Sequence, residues 1–232
     1  MTNNILYEPV FFILLKSAQS IAIQHGIVLR ESLSNYQFIS GPTGSGKTEI
    51  VKKVIAESNS LFSTPPEEII YCYGAWQRGF QEMKKVSEFH DGLPDIKQFP
   101  QDNLHRVLVL DDIADDAGNS QAVSDLFTKY SHHRNITVIL LTQNIFGKGK
   151  FFRTLSLNSQ YFFLTRNVRD PTQIQTLSRQ IFPHSNRYMM EAYNHATTSE
   201  PYGHLLVDLR IDSPDRMRLR GNIFTLPVVY TH

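Results

Sequence analysis

The apolar positions of this chain fall in short runs separated by polar or helical stretches. Ile69 to Tyr73, Val107 to Leu110, Thr137 to Thr142, Tyr161 to Thr165 and His204 to Leu209 each read as a strand, and several are apolar throughout rather than at every second residue. Continuous apolar strands belong to a parallel sheet covered on both faces. Tyr36 to Ser40 alternates and makes one more strand, followed by Glu49 to Glu57, where Ile50, Val51, Val54 and Ile55 lie at helical spacing. Ser120 to Ser131 and Pro171 to Gln180 read as helical or polar connections, and Gly92, Pro94 and Pro100 break the stretch between them into a loop. The expected fold class is α/β, a layered sheet. No internal repeat, low-complexity tract or long linker interrupts the pattern, so one compact unit is expected over 36–232, behind an N-terminal extension, 1–35.

Composition narrows the class without naming a chemistry. A chain of 232 residues, 41% hydrophobic and 19% charged, can bury a full core. A net charge of only +1 excludes a globally basic domain, so any nucleic-acid contact has to come from a local patch. Val10 to Leu15 is the strongest apolar run near the start; it is too short to span a bilayer and follows Glu8 rather than a basic segment, so neither a signal peptide nor a membrane span is expected. The one cysteine, Cys72, rules out an internal disulfide framework and sits in an apolar run, which reads as a buried thiol and suits a reducing, intracellular setting.

The chemistry begins directly after the Tyr36 strand. Gly41-Pro42-Thr43-Gly44-Ser45-Gly46-Lys47-Thr48 matches G-x-x-x-x-G-K-[ST] without a gap, between a strand and a helix as that motif requires. Glycines there let backbone N–H groups turn inward around a phosphate, the lysine reaches the β/γ oxygens and the threonine hydroxyl ligates Mg²⁺. The expectation is therefore a nucleoside triphosphate with Mg²⁺. Arg106-Val107-Leu108-Val109-Leu110-Asp111-Asp112 supplies a second element, a buried strand ending in two carboxylates at the edge where open sheets bind ligands. Asp111 is expected to hold Mg²⁺ through water, and Asp112 to orient or deprotonate the attacking water. Asp115 and Asp116 read as a solvated loop or helix cap. The third element is Val138 to Asn144, another buried strand ending in amides, which sets Gln143 beside the γ-phosphate as a sensor whose strand moves on hydrolysis. No Asn-Lys-x-Asp guanine signature occurs, which favours ATP.

The three motifs in this order resemble the FtsK–HerA superfamily of DNA-pumping ATPases, a P-loop NTPase fold with helices on both faces of its sheet. The stretches Leu126 to Ile136, Leu141 to Phe146, Arg153 to Asn158 and Pro201 to Asp208 look most like viral genome-packaging ATPases of the poxvirus type and those of Polinton-like and adinto-like elements. The resemblance covers Gln37 to Leu209. It implies double-stranded DNA as substrate, a homo-oligomeric ring of five or six subunits, a capsid or terminal protein as partner, and a place in the virion or in the host nucleus or cytoplasm. It also implies an arginine acting on a neighbouring site: Arg134, ahead of the sensor strand, leads, Arg153 follows, and Arg166 and Arg169 come after. Asp112 departs from cellular relatives, which carry Glu there.

Two basic stretches read two ways each. Lys148-Gly149-Lys150-Phe151-Phe152-Arg153 suits a loop gripping phosphate backbone, or a solvated turn. Arg216, Arg218 and Arg220 alternate as if on one strand face, aimed at nucleic acid or a neighbouring subunit, or lying on a charged edge strand. A helicase or replication ATPase, and a nucleotide-binding assembly protein without turnover, remain alternative functions at this level.

Overall fold

The described residues form ten strands, among them every apolar run expected as a strand: β1 (Phe11–Leu14), β2 (Tyr36–Ser40), β3 (Glu68–Tyr73), β4 (Glu88–Asp91), β5 (Arg106–Asp111), β6 (Ile136–Thr142), β7 (Tyr161–Thr165), β8 (His204–Asp208), β9 (Leu219–Gly221) and β10 (Val228–Thr231). They were obtained from a computed structural model that describes residues 11–14, 36–96, 99–100, 102–130, 135–225 and 227–231. All ten join one sheet in the order β1-β10-β9-β8-β7-β2-β6-β5-β3-β4. From β7 to β4 the six neighbours run parallel, and from β7 back to β1 each pairing is antiparallel. The parallel expectation thus holds for the half that carries the motifs. The run at His204, apolar throughout, is buried on both faces yet pairs antiparallel with β7.

Period-two geometry splits each central strand between two cores. Phe38, Leu108, Leu110, Val138 and Leu140 face one side, while Ile39, Val107, Val109, Ile139 and Leu141 face the other. The second side is covered by α1 (Lys47–Ala56), whose Ile50, Val51, Val54 and Ile55 form its buried stripe, and by the short α2 (Ser58–Leu61). The first side carries α3 (Ala114–Asn119), α4 (Gln121–Asp125), which runs on into a π-helical turn at Leu126–Tyr130, α5 (Phe152–Asn158), α6 (Thr172–Ile181) and α7 (Asn186–Thr198). Tyr36 ties the two layers together: its ring stacks on Phe127 at 4.2 Å and its hydroxyl donates to the Leu126 carbonyl.

Both basic stretches look different once folded. Arg216 lies in a 3-10 turn (Asp215–Met217), Arg218 just after it, and only Arg220 is in β9, which is an interior strand between β8 and β10. Arg220 is buried and donates to Asp208 Oδ2 at 2.6 Å, where Arg210 also donates at 2.7 Å and the Ser213 hydroxyl at 3.0 Å. Arg218 donates to the Asp208 and Arg210 carbonyls. Neither a nucleic-acid face nor an edge strand describes Arg218 and Arg220: the Asp208 carboxylate draws Arg220 inward, because a buried charge requires partners, while those two carbonyls and the Asp215 carboxylate at 2.8 Å hold Arg218. In the other stretch Phe152 is buried against Phe38, edge to face at 5.6 Å, so this ring is core, while Lys148, Lys150 and Arg153 stay exposed.

Candidate functional site

β2 lies between β6 and β7 and runs parallel to both, so the loop leaving its C-terminal end emerges beside the ends of its neighbours. Gly41 N–H donates to the Thr142 carbonyl at 3.1 Å, fastening the start of the loop to the end of β6. On the other side Thr165, the last residue of β7, donates its hydroxyl hydrogen to the Ser40 carbonyl at 3.1 Å, and its oxygen lies 2.6 Å from Ser45 Oγ. A Cβ on Gly41 would fall on that Thr165 hydroxyl, which is why the position has no side chain. Gly46 has φ +97, a left-handed conformation that starts α1, and a Cβ there would come within 2.6 Å of the Tyr202 ring. The first-turn amides of α1 thereby open toward the loop, as anion binding requires.

Lys47 and the two aspartates face each other across this loop. Lys47 Nζ donates to the Gly41 and Pro42 carbonyls at 2.7 and 3.0 Å. Burial pushes its ammonium below the ordinary lysine range, while Asp111 and Asp112 pull the other way. Asp111 ends β5, is buried, and accepts a 2.6 Å hydrogen bond on Oδ2 from the Tyr71 hydroxyl. Burial raises its carboxyl above the usual range; Tyr71 and Lys47 oppose the shift. Asp112 is exposed at φ +60, left-handed for a non-glycine residue, beneath Gly74, where a Cβ would meet the Asp112 carbonyl at 2.6 Å.

Lys47, Thr48, Asp111, Asp112 and Gln143 line one cleft of about 710 Å³, with Lys148 on its wall. Gln143 follows β6 directly and is exposed there. Asp115 and Asp116 occupy the first turn of α3, exposed and lining the cleft; the N-cap position is Ile113 and no side chain caps the helix, so the cap reading does not describe them. Arg134 lies outside the described residues. Arg153 is exposed on α5 and does not line the cleft, and Arg166 and Arg169 stand on the opposite flank of the P-loop. The protein groups in the cleft that could hold a metal, as the sequence leads one to expect, are the Thr48 hydroxyl and the Asp111 carboxylate. Among the described residues no group of three or more His, Cys, Asp or Glu is placed to hold a metal by itself. An all-oxygen pair of this kind fits Mg²⁺, which takes one or two protein oxygens and completes its shell with phosphates and water.

Sequence reasoning missed three residues here. Tyr71 sits mid-strand in an apolar run, Thr165 ends a strand 120 residues from Ser45, and Tyr202 belongs to a turn; none carries a local signal.

No model of a known protein family matches the chain, and no curated protein matches it. Among solved structures, the genome packaging NTPase B204 from Sulfolobus turreted icosahedral virus 2, in complex with AMPPCP, superposes with a TM-score of 0.51 at 12% identity, over 76% of this chain and 93% of that one. The same NTPase in complex with ATP-gammaS gives 0.49 at 14% identity, over 78% and 95%. Thermomonospora curvata EccC (ATPases 2 and 3), in complex with a signal sequence peptide, gives 0.44 at 11% identity, over 86% of this chain and 37% of that one. At these identities the likeness is one of fold, and the fold is the α/β sheet of P-loop NTPases.

Proposed function

We propose that this chain is an ATP-hydrolysing motor that moves double-stranded DNA, working as a homo-oligomeric ring that packages a viral or virus-like transposon genome. The observation that carries the ATPase part is the convergence of Lys47, Thr48, Asp111, Asp112 and Gln143, from the ends of three parallel strands and the segments that follow them, on one cleft. In this reading Lys47 leaves the Gly41 and Pro42 carbonyls for the β/γ oxygens, and the amides of the loop and α1 bind the phosphates. Mg²⁺, held by Thr48 and Asp111, would supply charge neutralisation on the phosphate oxygens. Asp112 takes the proton of the attacking water or orients it, and Gln143 positions that water and passes the state of the phosphate to β6 and the loop beyond.

DNA as substrate, packaging as its purpose and the ring are supported by the order of the motifs, by their resemblance to FtsK–HerA packaging ATPases, and by the fold shared with an NTPase named for genome packaging. Arg134 remains the proposed finger acting in trans, since such an arginine raises turnover by about 10³-fold or more in P-loop enzymes. No helix among the described residues is long and apolar enough to cross a membrane.

The deciding experiment is ATPase rate with and without duplex DNA, measured beside particle mass in solution. Turnover stimulated by duplex DNA in a multi-subunit particle is expected. Stimulation by single strands together with strand displacement would replace the packaging motor with a helicase, and binding without turnover would leave an assembly protein.

A further inference from the structure

The P-loop has a second concave flank. Opposite the cleft that gathers Lys47 and Asp111, another of about 720 Å³ opens between the Arg166–Asp170 segment after β7 and the Glu200–Gly203 turn before β8. The two clefts share Thr43, Gly44 and Tyr202. A molecule held by its phosphates in the first can therefore continue past Thr43 and Gly44 into the second without leaving the protein surface.

We propose that this second cleft binds the nucleoside half of the substrate, with the Tyr202 ring as stacking surface and adenine as the base its wall selects. The inference rests on the nucleotide reading above and adds the part of the ligand that the P-loop does not touch. Tyr202 is held in place: its backbone is left-handed at φ +58, the Gly203 amide closes the turn onto the Glu200 carbonyl at 3.0 Å, and the ring lies against Gly46. A tyrosine in that conformation is uncommon and costs about 1 kcal/mol or more unless its surroundings impose it. Even so, 56% of the residue is exposed, at the junction of the two clefts. Across the cleft stand Arg166 and Arg169, whose planar guanidinium groups stack on aromatic faces, and Val168, which is 75% exposed. An aromatic base would cover the tyrosine ring and the valine together.

The base edge is set by the third wall, the last turn of α7 and the residue after it. Of the last four carbonyls of α7, those of His195 and Ala196 accept from Ser199, which leaves those of Thr197 and Thr198 as acceptors. Two hydroxyls there add further acceptors, because each spends its hydrogen on the helix: Thr197 on the Tyr193 carbonyl and Thr198 on the Asn194 carbonyl, both at 2.8 Å. Set against the 6-position of the purine, such acceptors match the amino group of adenine and oppose the carbonyl oxygen of guanine, whose own donors lie at N1 and the 2-amino group.

Calorimetric titration of the full chain with MgATP, MgGTP and inorganic tripolyphosphate tests this. Tyr202→Ala should weaken MgATP by roughly tenfold or more, as loss of a stacking surface does. The same variant should leave tripolyphosphate unchanged, and Tyr202→Phe should behave as wild type. MgATP should bind wild type more tightly than MgGTP. Equal weakening of MgATP and tripolyphosphate by Tyr202→Ala would make the ring a mere prop for the P-loop and overturn the proposal; so would no weakening of either. Equal affinity for MgATP and MgGTP would overturn the adenine assignment. The underlying nucleotide reading fails separately, if wild type does not bind tripolyphosphate or if Lys47→Ala binds it as wild type does.

Discussion

Tyr71 donates its hydroxyl hydrogen to Asp111 Oδ2 at 2.6 Å, from a position two residues short of the end of the adjacent parallel strand. The register pairs Tyr73 with Asp111, so the Tyr71 side chain leans along the strand direction to reach the carboxylate. Burial and the neighbouring carboxylate both push the phenol far above its ordinary range, so it acts only as a donor, fixing one oxygen of the group proposed to hold Mg²⁺.

Tyr71→Phe is accordingly expected to fold, losing on the order of 1 kcal/mol, because the packing of the ring is kept and one buried hydrogen bond is not. Its Mn²⁺ affinity in the presence of AMPPCP, read by electron paramagnetic resonance, should fall roughly 10- to 100-fold, as for residues that orient a metal ligand. Unchanged Mn²⁺ binding would remove Tyr71 from the site.

Asp112→Asn should bind MgATP normally and lose ~10²- to 10⁴-fold in turnover. Asparagine tolerates the left-handed backbone at φ +60 as well as aspartate does, so the substitution isolates the carboxylate from the geometry. If Asp111→Asn shows this behaviour and Asp112→Asn stays active, the two roles are reversed. Lys47→Ala should lose turnover with the fold intact, since Lys47 Nζ only bonds to carbonyls of its own loop.

His204 predicts an acid sensitivity. Its ring is buried between Phe163 and Phe224, with Lys53 over the Phe224 ring, and burial pushes it down to about 4. The unfolded chain takes up this proton near pH 6.5, the folded chain only near pH 4, so between those values the unfolded state binds more protons and stability falls as pH falls. Urea unfolding should show a loss on the order of 2–3 kcal/mol between pH 7 and pH 4 from this group. His204→Phe should flatten that part of the profile. His105, buried between the Thr64 carbonyl and Thr137 and also lowered by burial, contributes in the same direction and is untouched by the variant. An identical pH profile for His204→Phe would refute the account.

The Asp208 cluster separates structure from nucleic-acid binding. Burial pushes the Arg220 guanidinium down to about 10, and removing one partner of such a pair costs about 3–5 kcal/mol. Asp208→Asn and Arg220→Met should therefore lower the urea midpoint, while the exposed Arg216→Ala does not. Because Asp208 ends β8 at the edge opposite the P-loop, MgATP affinity of the folded fraction should be unchanged. Duplex-DNA affinity lost in Arg220→Met at full foldedness would restore a contact role for that arginine.

The periodicity of the chain, with no structure at hand, already determined β2, β3 and β5 to β8, the α1 helix and the P-loop between β2 and α1, because each is written in consecutive residues whose burial or backbone need is local; the short, half-exposed β4 carries no such pattern. Asp111 and Gln143 were legible for the same reason, as polar residues closing apolar runs at the edge where parallel sheets bind ligands. Tertiary structure alone decided the strand order that brings β2 between β6 and β7, the antiparallel half of the sheet, and the contacts that span it: Tyr71 with Asp111, Thr165 with Ser45, Tyr202 on Gly46. It also turned Arg220 inward and made Phe152 core, since a buried carboxylate and an open core face each draw in whichever side chain can reach. The three contacts at the site join residues 40 to more than 150 positions apart, and no local pattern records them, because their energy arises only where the folded chain brings the two partners out of water together.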